Sequence, residues 1–573
     1  MSSRSHYSPS SLIPFSPYNL CARKEAHGLY SVFLEGGVLN ILLLSMPDSF
    51  EHMPTVAIRM PNGALTSLAG NLDPHHKIAV ADLILCQKSV GETVTRLVRE
   101  HSPDIVGMSI MTFQRRSAER LMHLVRSLKP SVKIVVGGYD PSLDTAAYLD
   151  MPVDFVVRGE GEVTFRELTR ALEGQGSMHF ISGLSHKEPG GVSNSARWIH
   201  NPQRAPHKLE DNEIRLPRRS ARVLKGYTLL GRQVDVIETS RGCTFDCSFC
   251  SIIEMRGRNF FTYSFDRVIA DIRDAYNHGA RTIFMVDDNI TLNVHRFEAL
   301  CHAIIDAGLN KIDYFVQGMT SAIANHGETL APLMRKAGFR YVFLGIENIL
   351  ETDLQFLQAS AKNTARKEGK KIGNASLQAI QYLHDNGMYV VGGLIVGSPG
   401  DTAESIETNL EFARKYVDWP YIQHPTPYPK TPMTADFRRL GLIENERLHE
   451  YDGTTPIVHN ENLSLDEIEY LRWKAERGIK TKHIPTVLKH DPLFVLKNMG
   501  KMAAHTYRGS TLRTFLGLES DRAAFARYKE IRRQEREYVK PVHTTTAEPI
   551  QQKKPSESVL PDLAAALPQN QSH

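Results

Sequence analysis

Two successive series of short apolar runs, each separated by helical patterns, constrain this chain more than any other feature. The first extends from Val38 to about Leu184. Its strands are expected at Leu39–Ser45, Lys77–Leu83, Ile105–Met111, Lys133–Gly138 and Val153–Val157, with helices near Gly91–His101, Arg115–Leu128 and Val163–Leu172. Alternation of this kind builds a doubly wound parallel sheet, which takes its ligand beyond the carboxyl ends of the strands. The second series has strands at Val234–Glu238, Thr282–Val286, Asp313–Gln317, Tyr341–Gly345, Tyr389–Val396 and Tyr421–His424. Its helices fall near residues 265–278, 295–307, 328–337, 375–386 and 402–416. Six such β/α units are two short of a closed barrel, and barrels of this type do their chemistry at the carboxyl ends of the strands. The fold class is therefore α/β, a Rossmann-like sheet followed by a partial barrel.

Composition divides what lies between and around these series. Residues 1–36 are Ser/Pro-rich and aperiodic, a poorly ordered arm, and residues 37–184 form the first domain. A Gly, Ser, Asn, Pro and Arg-rich stretch over 185–232 reads as a linker to the barrel at 233–439. Residues 440–540 are helical and polar, a barrel cap or a separate lobe, and residues 541–573 are a Pro/Gln/Ser-rich disordered tail. A net charge of +4 does not point to nucleic acid. The longest apolar run, Gly37 to Met46, is too short to span a bilayer and no signal peptide precedes it, so a cytoplasmic protein is expected.

Cys243, Cys247 and Cys250 stand as C-x-x-x-C-x-x-C in SRGCTFDCSFC, directly after the first strand of the second series. Three thiolates can hold three irons of a [4Fe-4S] cube and leave the fourth iron open to a ligand. A structural zinc site would want a fourth Cys or His close by, and none follows. Cys21, Cys86 and Cys301 are isolated, as free thiols of a reducing compartment are.

This spacing, with Phe249 before the last cysteine, resembles the radical S-adenosylmethionine (SAM) superfamily. The resemblance implies an open six-stranded barrel in which the cluster on Cys243, Cys247 and Cys250 cleaves SAM to a 5′-deoxyadenosyl radical, with electrons from a donor such as flavodoxin or ferredoxin. It further implies that SAM is held by Phe249, by Asp287 and Asp288 after the second strand, by Gln317 after the third, and by Glu347 of Gly345-Ile-Glu347 on the ribose. Gly393 and Gly397 of GGLIVGSPGDTAES would let the adenine approach the backbone. Two plainer readings stay open: Asp287 and Asp288 as a helix cap, and Glu347 paired with a barrel Lys or Arg. Asp401 and Glu404 read as a capping box for the next helix. His424 and Tyr428, in a proline-rich loop after the sixth strand, are candidates to touch substrate, and the basic run from Lys362 to Lys371 to meet an acidic one.

A parallel sheet before such a barrel is similar to the cobalamin-binding domain of one class of the superfamily. That likeness implies cobalamin against Gly107, Ser109, Thr112, Gly137 and Gly138, and near Arg158-Gly-Glu160-Gly-Glu162. The D-x-H-x-x-G motif that offers a histidine to cobalt is missing, since Asp73-Pro-His75 lacks the glycine. Absence of further cysteine groups excludes an auxiliary cluster. The class implies methyl transfer to an unactivated carbon of a small-molecule or lipid substrate. Cyclisation or rearrangement, as in anaerobic porphyrin-ester cyclases, is the alternative, and a cobalamin-binding sensor with a relic barrel is the non-enzymatic one.

Overall fold

Five strands of the first series are almost wholly buried: β1 (Asn40–Ser45), β2 (Lys77–Asp82), β3 (Ile105–Ser109), β4 (Lys133–Gly137) and β5 (Phe155–Val157). They come from a computed structural model that describes residues 37–51, 53–188, 197–209, 213–367 and 369–541. The expected arm over 1–36 and the expected tail beyond Pro541 lie outside these residues. The strands pair in parallel in the order β2-β1-β3-β4-β5. Leu42 and Leu44 face one helical layer with Val94 and Leu121, and Ile41 and Leu43 face the other with Leu65 and Phe165. Burial on both faces is what makes these strands continuous apolar runs in the sequence. The strand order reverses between β1 and β3, which opens a crevice at their carboxyl ends.

The stretch expected as a linker contributes two more strands. β6 (Leu184–Glu188) and β7 (Arg197–His200) extend the sheet antiparallel from β5. Their polar sequences, LSHKE and RWIH, suit a sheet edge, where charged side chains discourage pairing with other chains. Helix Gly63–Asn71, capped by the Asn62 side chain, also lacked an apolar stripe distinct enough to be expected.

The second series forms β8 (Arg232–Ile237), β9 (Thr282–Met285), β10 (Asp313–Met319), β11 (Phe339–Glu347), β12 (Tyr389–Ile395) and β13 (Trp419–Gln423), parallel and in sequential order. This is the open six-stranded barrel that was expected. Alternate residues face outward, Val316, Val342, Leu344 and Val390 among them, and pack on the helical ring. The inner face is aromatic at its amino end, where Phe284 and Phe315 stack at 4.5 Å and Tyr341 meets Tyr389 at 5.9 Å. Phe494, from helix Pro492–Thr506, joins this cluster and closes the barrel floor. Tyr341 donates to Asp491 at 2.8 Å beside it. The C-terminal helices thus cap the barrel at its amino end, and the following segment returns to the first domain, where Val539 packs into the core containing Leu121.

Asp48, in the loop after β1, records this closure. Its Oδ1 accepts from Ser117 Oγ at 3.0 Å, while Oδ2 is buried without a partner. Burial pushes its carboxyl from 3.8 up to about 7. Between those values the folded chain keeps a proton that the unfolded chain has lost, so this group makes stability fall as pH rises. Asp48→Asn removes that term. Chemical denaturation at pH 5 and pH 8 should show the stability difference, variant minus parent, shifting by about 3 kcal/mol in favour of the variant at the higher pH, at 1.36 kcal/mol per pK unit.

Candidate active site

The three cysteines occupy a loop that leaves β8 through a two-residue ribbon, Ser240–Arg241 paired with Phe261–Thr262. The chain before it is held from below. Asp287, fully buried after β9, accepts from the Thr239 amide at 2.7 Å, Thr239 Oγ1 at 2.5 Å and Ser240 Oγ at 2.5 Å. Burial still raises its carboxyl to about 6. Its neighbour Asp288 accepts from the Gly242 amide at 2.8 Å, one residue before Cys243. Further along, the Ser248 amide donates to Leu357 O at 3.0 Å and Ser248 O accepts from the Met433 amide at 3.0 Å. Both sides of the loop are therefore fixed to the barrel.

The thiols interact with one another electrostatically, and burial raises Cys247 and pushes Cys250 up to about 12, with Lys362 opposing both shifts. Among the described residues, His75, His76 and Glu173 bring three donor atoms within 4.8 Å of one another. Three thiolates can hold three irons of a [4Fe-4S] cluster, whereas a structural zinc site takes four ligands. Asn289 Nδ2 lies 3.8 Å from Cys243 Sγ.

Above the loop a buried ion pair occupies the barrel mouth. Lys362 is bound to Glu347 and stands 5.4 Å over the Phe249 ring. Burial alone would discharge Lys362, and Glu347 outweighs it, so the ammonium is retained. Gly345 makes the room: a Cβ there would lie 2.7 Å from Glu347 Oε1 and 3.4 Å from Lys362 Nζ. Of the two readings of Glu347, the barrel-lysine pair is what the structure contains, and Lys362 is a mouth residue that the sequence offered only as one member of a basic run. The rest of that run lies on or beside the hairpin of Thr364–Lys367 and Lys370–Asn374, with Lys371 paired to Glu351; the Lys367 side chain lies outside the described atoms.

A cavity of about 400 Å³ opens at the β1/β3 crevice. Ser109, Gly137 and Gly138 line it from the sheet, and Glu238, Arg256 and Asp288 from the barrel. Arg241 ties the two walls. It bonds Glu162 at 2.6 Å and Glu238 at 2.8 Å and lies 3.4 Å from Glu160, which also holds Arg256 at 2.9 Å. Against the burial that would raise it, Arg241 holds Glu162 down to about 2, whereas burial prevails at Glu238 and raises it. Among the described residues no histidine lines the cavity, and His75 stands instead beside Glu173, bonded at 2.8 Å.

Several expected contacts are corrected by this geometry. Asp287 does not face the mouth, since both its oxygens serve the chain before the cysteines, and the following helix is capped by Asn293 rather than by either acid. Gly107 lines the cavity, where a Cβ would meet Leu43 at 2.7 Å, and a Cβ on Gly393 would meet Phe343 at 2.7 Å, so both glycines also make room for neighbouring side chains. Gly138 is required by its own backbone, at φ 102°. Thr112 is buried away from the cavity lining. Gly397 and Ser398 donate their amides to Asp401 at 2.7 and 2.9 Å, and the helix cap is Thr402 with Ser405, not Asp401 with Glu404. His424 is buried, its Nδ1 3.1 Å from Val396 O, and burial lowers it to about 3, so it is a neutral packing residue. Glu160 and Glu162 line the cavity while bound to Arg256 and Arg241. Gln317 shares the inward face of β10 with Phe315, at the mouth end. Tyr428 packs in the cluster that includes Cys247, Phe249 and Cys250.

Comparison with known proteins agrees with both halves. The B12 binding domain family matches residues 53–169 and the Radical SAM superfamily matches residues 237–413. The chain belongs to the radical SAM superfamily and carries an N-terminal B12 binding domain. It is 28% identical to an uncharacterized methyltransferase of Pyrococcus horikoshii, over 76% of this chain and 92% of that one. It is 27% identical to the anaerobic magnesium-protoporphyrin IX monomethyl ester cyclase of Rubrivivax gelatinosus, over 67% of this chain and 66% of the cyclase. Among solved structures, the cobalamin-dependent S-adenosylmethionine radical enzyme OxsB has the same fold, with a TM-score of 0.57 at 15% identity over 87% of this chain and 80% of that one.

Two substitutions test the site. Asp287→Ala frees the approach to the cysteine loop, and iron bound per chain after anaerobic reconstitution should fall to less than half. Lys362→Met leaves Glu347 buried and unpaired, which costs about 3–5 kcal/mol. The double variant Lys362→Met/Glu347→Gln should recover most of that loss in thermal unfolding.

Proposed function

We propose that this enzyme transfers a methyl group to an unactivated carbon, using cobalamin and SAM. The observation that carries the proposal is the shared wall: Asp288 lines the crevice cavity and also holds the Gly242 amide beside Cys243. When bound, the [4Fe-4S] cluster supplies the electron that cleaves SAM, and cobalamin supplies the methyl group.

The chain's own part is to place and enclose these groups. Cys243, Cys247 and Cys250 would hold the cluster, with Asn289 beside Cys243. Phe249 and the Glu347–Lys362 pair border the position of SAM, where Glu347 can accept from hydroxyl groups and Lys362 can donate to a carboxylate. Ser109, Gly137 and Gly138 would hold cobalamin at the sheet crevice. Five carboxylates, Glu160, Glu162, Glu238, Asp271 and Asp288, line the cavity with three guanidiniums, Arg241, Arg256 and Arg267. Asp271 is held by Arg219 behind the wall, so the remaining acids and guanidiniums make a nearly balanced polar lining.

The similarity to an uncharacterized methyltransferase along 92% of its length supports methyl transfer. Ring formation is the second reading, supported by the likeness to the porphyrin-ester cyclase. The substrate is a small molecule or lipid, and the electron comes from a donor such as flavodoxin or ferredoxin.

Products separate the two readings. Anaerobically reconstituted enzyme with cobalamin, SAM, reductant and substrate should form S-adenosylhomocysteine and 5′-deoxyadenosine together. Replacing Cys243, Cys247 and Cys250 by Ala should abolish 5′-deoxyadenosine. Turnover that yields 5′-deoxyadenosine with no S-adenosylhomocysteine would overturn methyl transfer in favour of cyclisation.

A further inference from the structure

Helix Pro492–Thr506 is apolar on two opposite faces. Phe494 and Val495 close the barrel floor. Leu493, Leu496 and Met499 stand on the other side, and the next turns add Leu512, Phe515 and Leu518, six side chains between 56% and 82% exposed. The two stretches are joined where Tyr507 meets Phe515 with ring centroids 5.3 Å apart. Single exposed leucines are ordinary, but a concentrated set on consecutive helices marks an interaction surface. An apolar hollow of about 110 Å³ lies under it, lined by Trp419, Ile484, Val487, Phe494, Met499 and Met502.

Charge says what kind of surface this face meets. From Lys480 to Leu518 the chain has seven Lys or Arg and one acid, Asp491, although the whole protein is nearly balanced at 68 to 64. Asp491 is buried and occupied by Tyr341 and Arg340, so it offsets none of the surface charge. Lys489, Lys497, Lys501 and Arg513 are exposed and form no ion pair among the described residues. Lys497 stands one turn from Leu493 and Lys501 one turn further along the same exposed edge of the helix. Long basic side chains beside bulky apolar ones are the pattern of a helix lying in the plane of an anionic interface, its carbon side chains in the acyl boundary and its ammonium groups among the phosphates. A second copy of the chain is a poor occupant, because face-to-face packing would bring two basic surfaces together. No described helix is long and apolar enough to cross a membrane, which leaves surface attachment.

We propose that residues 484–518 dock this enzyme on the surface of an anionic phospholipid bilayer. The docking face is at the barrel's amino end, opposite the cysteine loop, and its role is independent of which reaction the site performs.

The test is co-sedimentation of the full-length reconstituted enzyme with extruded vesicles, equimolar phosphatidylglycerol and phosphatidylcholine against phosphatidylcholine alone. The enzyme should partition onto the anionic vesicles, and high salt should weaken the binding, since a polybasic contribution is screened. Leu496→Glu/Phe515→Glu should reduce the partition coefficient about tenfold or more, and Lys497→Glu/Lys501→Glu/Arg513→Glu should do the same. Both variants alter only exposed side chains, so their melting temperatures and SAM cleavage in solution should match the parent. No partition of the parent onto anionic vesicles would overturn the proposal, as would variants that bind like the parent. So would a parent dimer that Leu496→Glu/Phe515→Glu converts to a monomer in sedimentation velocity, because the face would then be covered by a second copy.

Discussion

Arg241 is the residue on which the rest of this architecture depends. It sits two positions before Cys243, and its guanidinium is wholly buried among Glu160, Glu162 and Glu238. Two of those acids belong to the sheet domain and one to the first barrel strand. A buried cation must be compensated, and here the compensation comes from both domains at once. Removing Arg241 would leave these buried carboxylates without their cation in a low-dielectric interior, at a cost of about 3–5 kcal/mol. The same contacts therefore hold the sheet against the barrel and set the starting point of the cysteine loop.

Around that pair the molecule is arranged as supports for two cofactor positions. Asp287 and Asp288, adjacent in sequence, divide the work: one fixes Thr239 and Ser240, and the other fixes Gly242 and faces the cavity. On the other side of the loop, Leu357 and Met433 anchor the Ser248 backbone. The barrel mouth is polar only where it needs to be, at Glu347, Lys362, Gln317 and Asn289, while its floor is filled with aromatic rings and stoppered by Phe494. Phe50, from the loop after β1, reaches Tyr421 at 6.3 Å and so places a ring of the sheet domain against the last barrel strand.

The fold was legible because its strands are buried on both faces, and buried parallel strands leave continuous apolar runs such as Ile41 to Leu44. The cysteine loop was legible from spacing alone. What the sequence did not reveal depends on partners distant along the chain. Lys362 reads as one lysine among several until β11 brings Glu347 to it, and Asp287 reads like Asp288 until the ribbon before the cysteines folds onto it. Gly393 has the position of a cofactor glycine, yet Phe343 from the adjacent strand fills its space. Glu160 and Glu162 follow the last parallel strand of the sheet, where a cofactor contact was expected, but Arg241 lies about eighty residues further on and claims them. Strands β6 and β7 were missed because an edge pair built from Ser, His, Lys and Arg has no apolar run to show.

The shared wall makes one physical demand, that the two cofactor positions be close. Continuous-wave and pulsed electron paramagnetic resonance of the reconstituted enzyme, holding cob(II)alamin and the reduced [4Fe-4S] cluster together, measures this directly. Dipolar broadening or splitting of the cobalt signal when the cluster is reduced is the expected result. A cobalt spectrum unchanged by cluster reduction, with both centres at full occupancy, would contradict the arrangement described here.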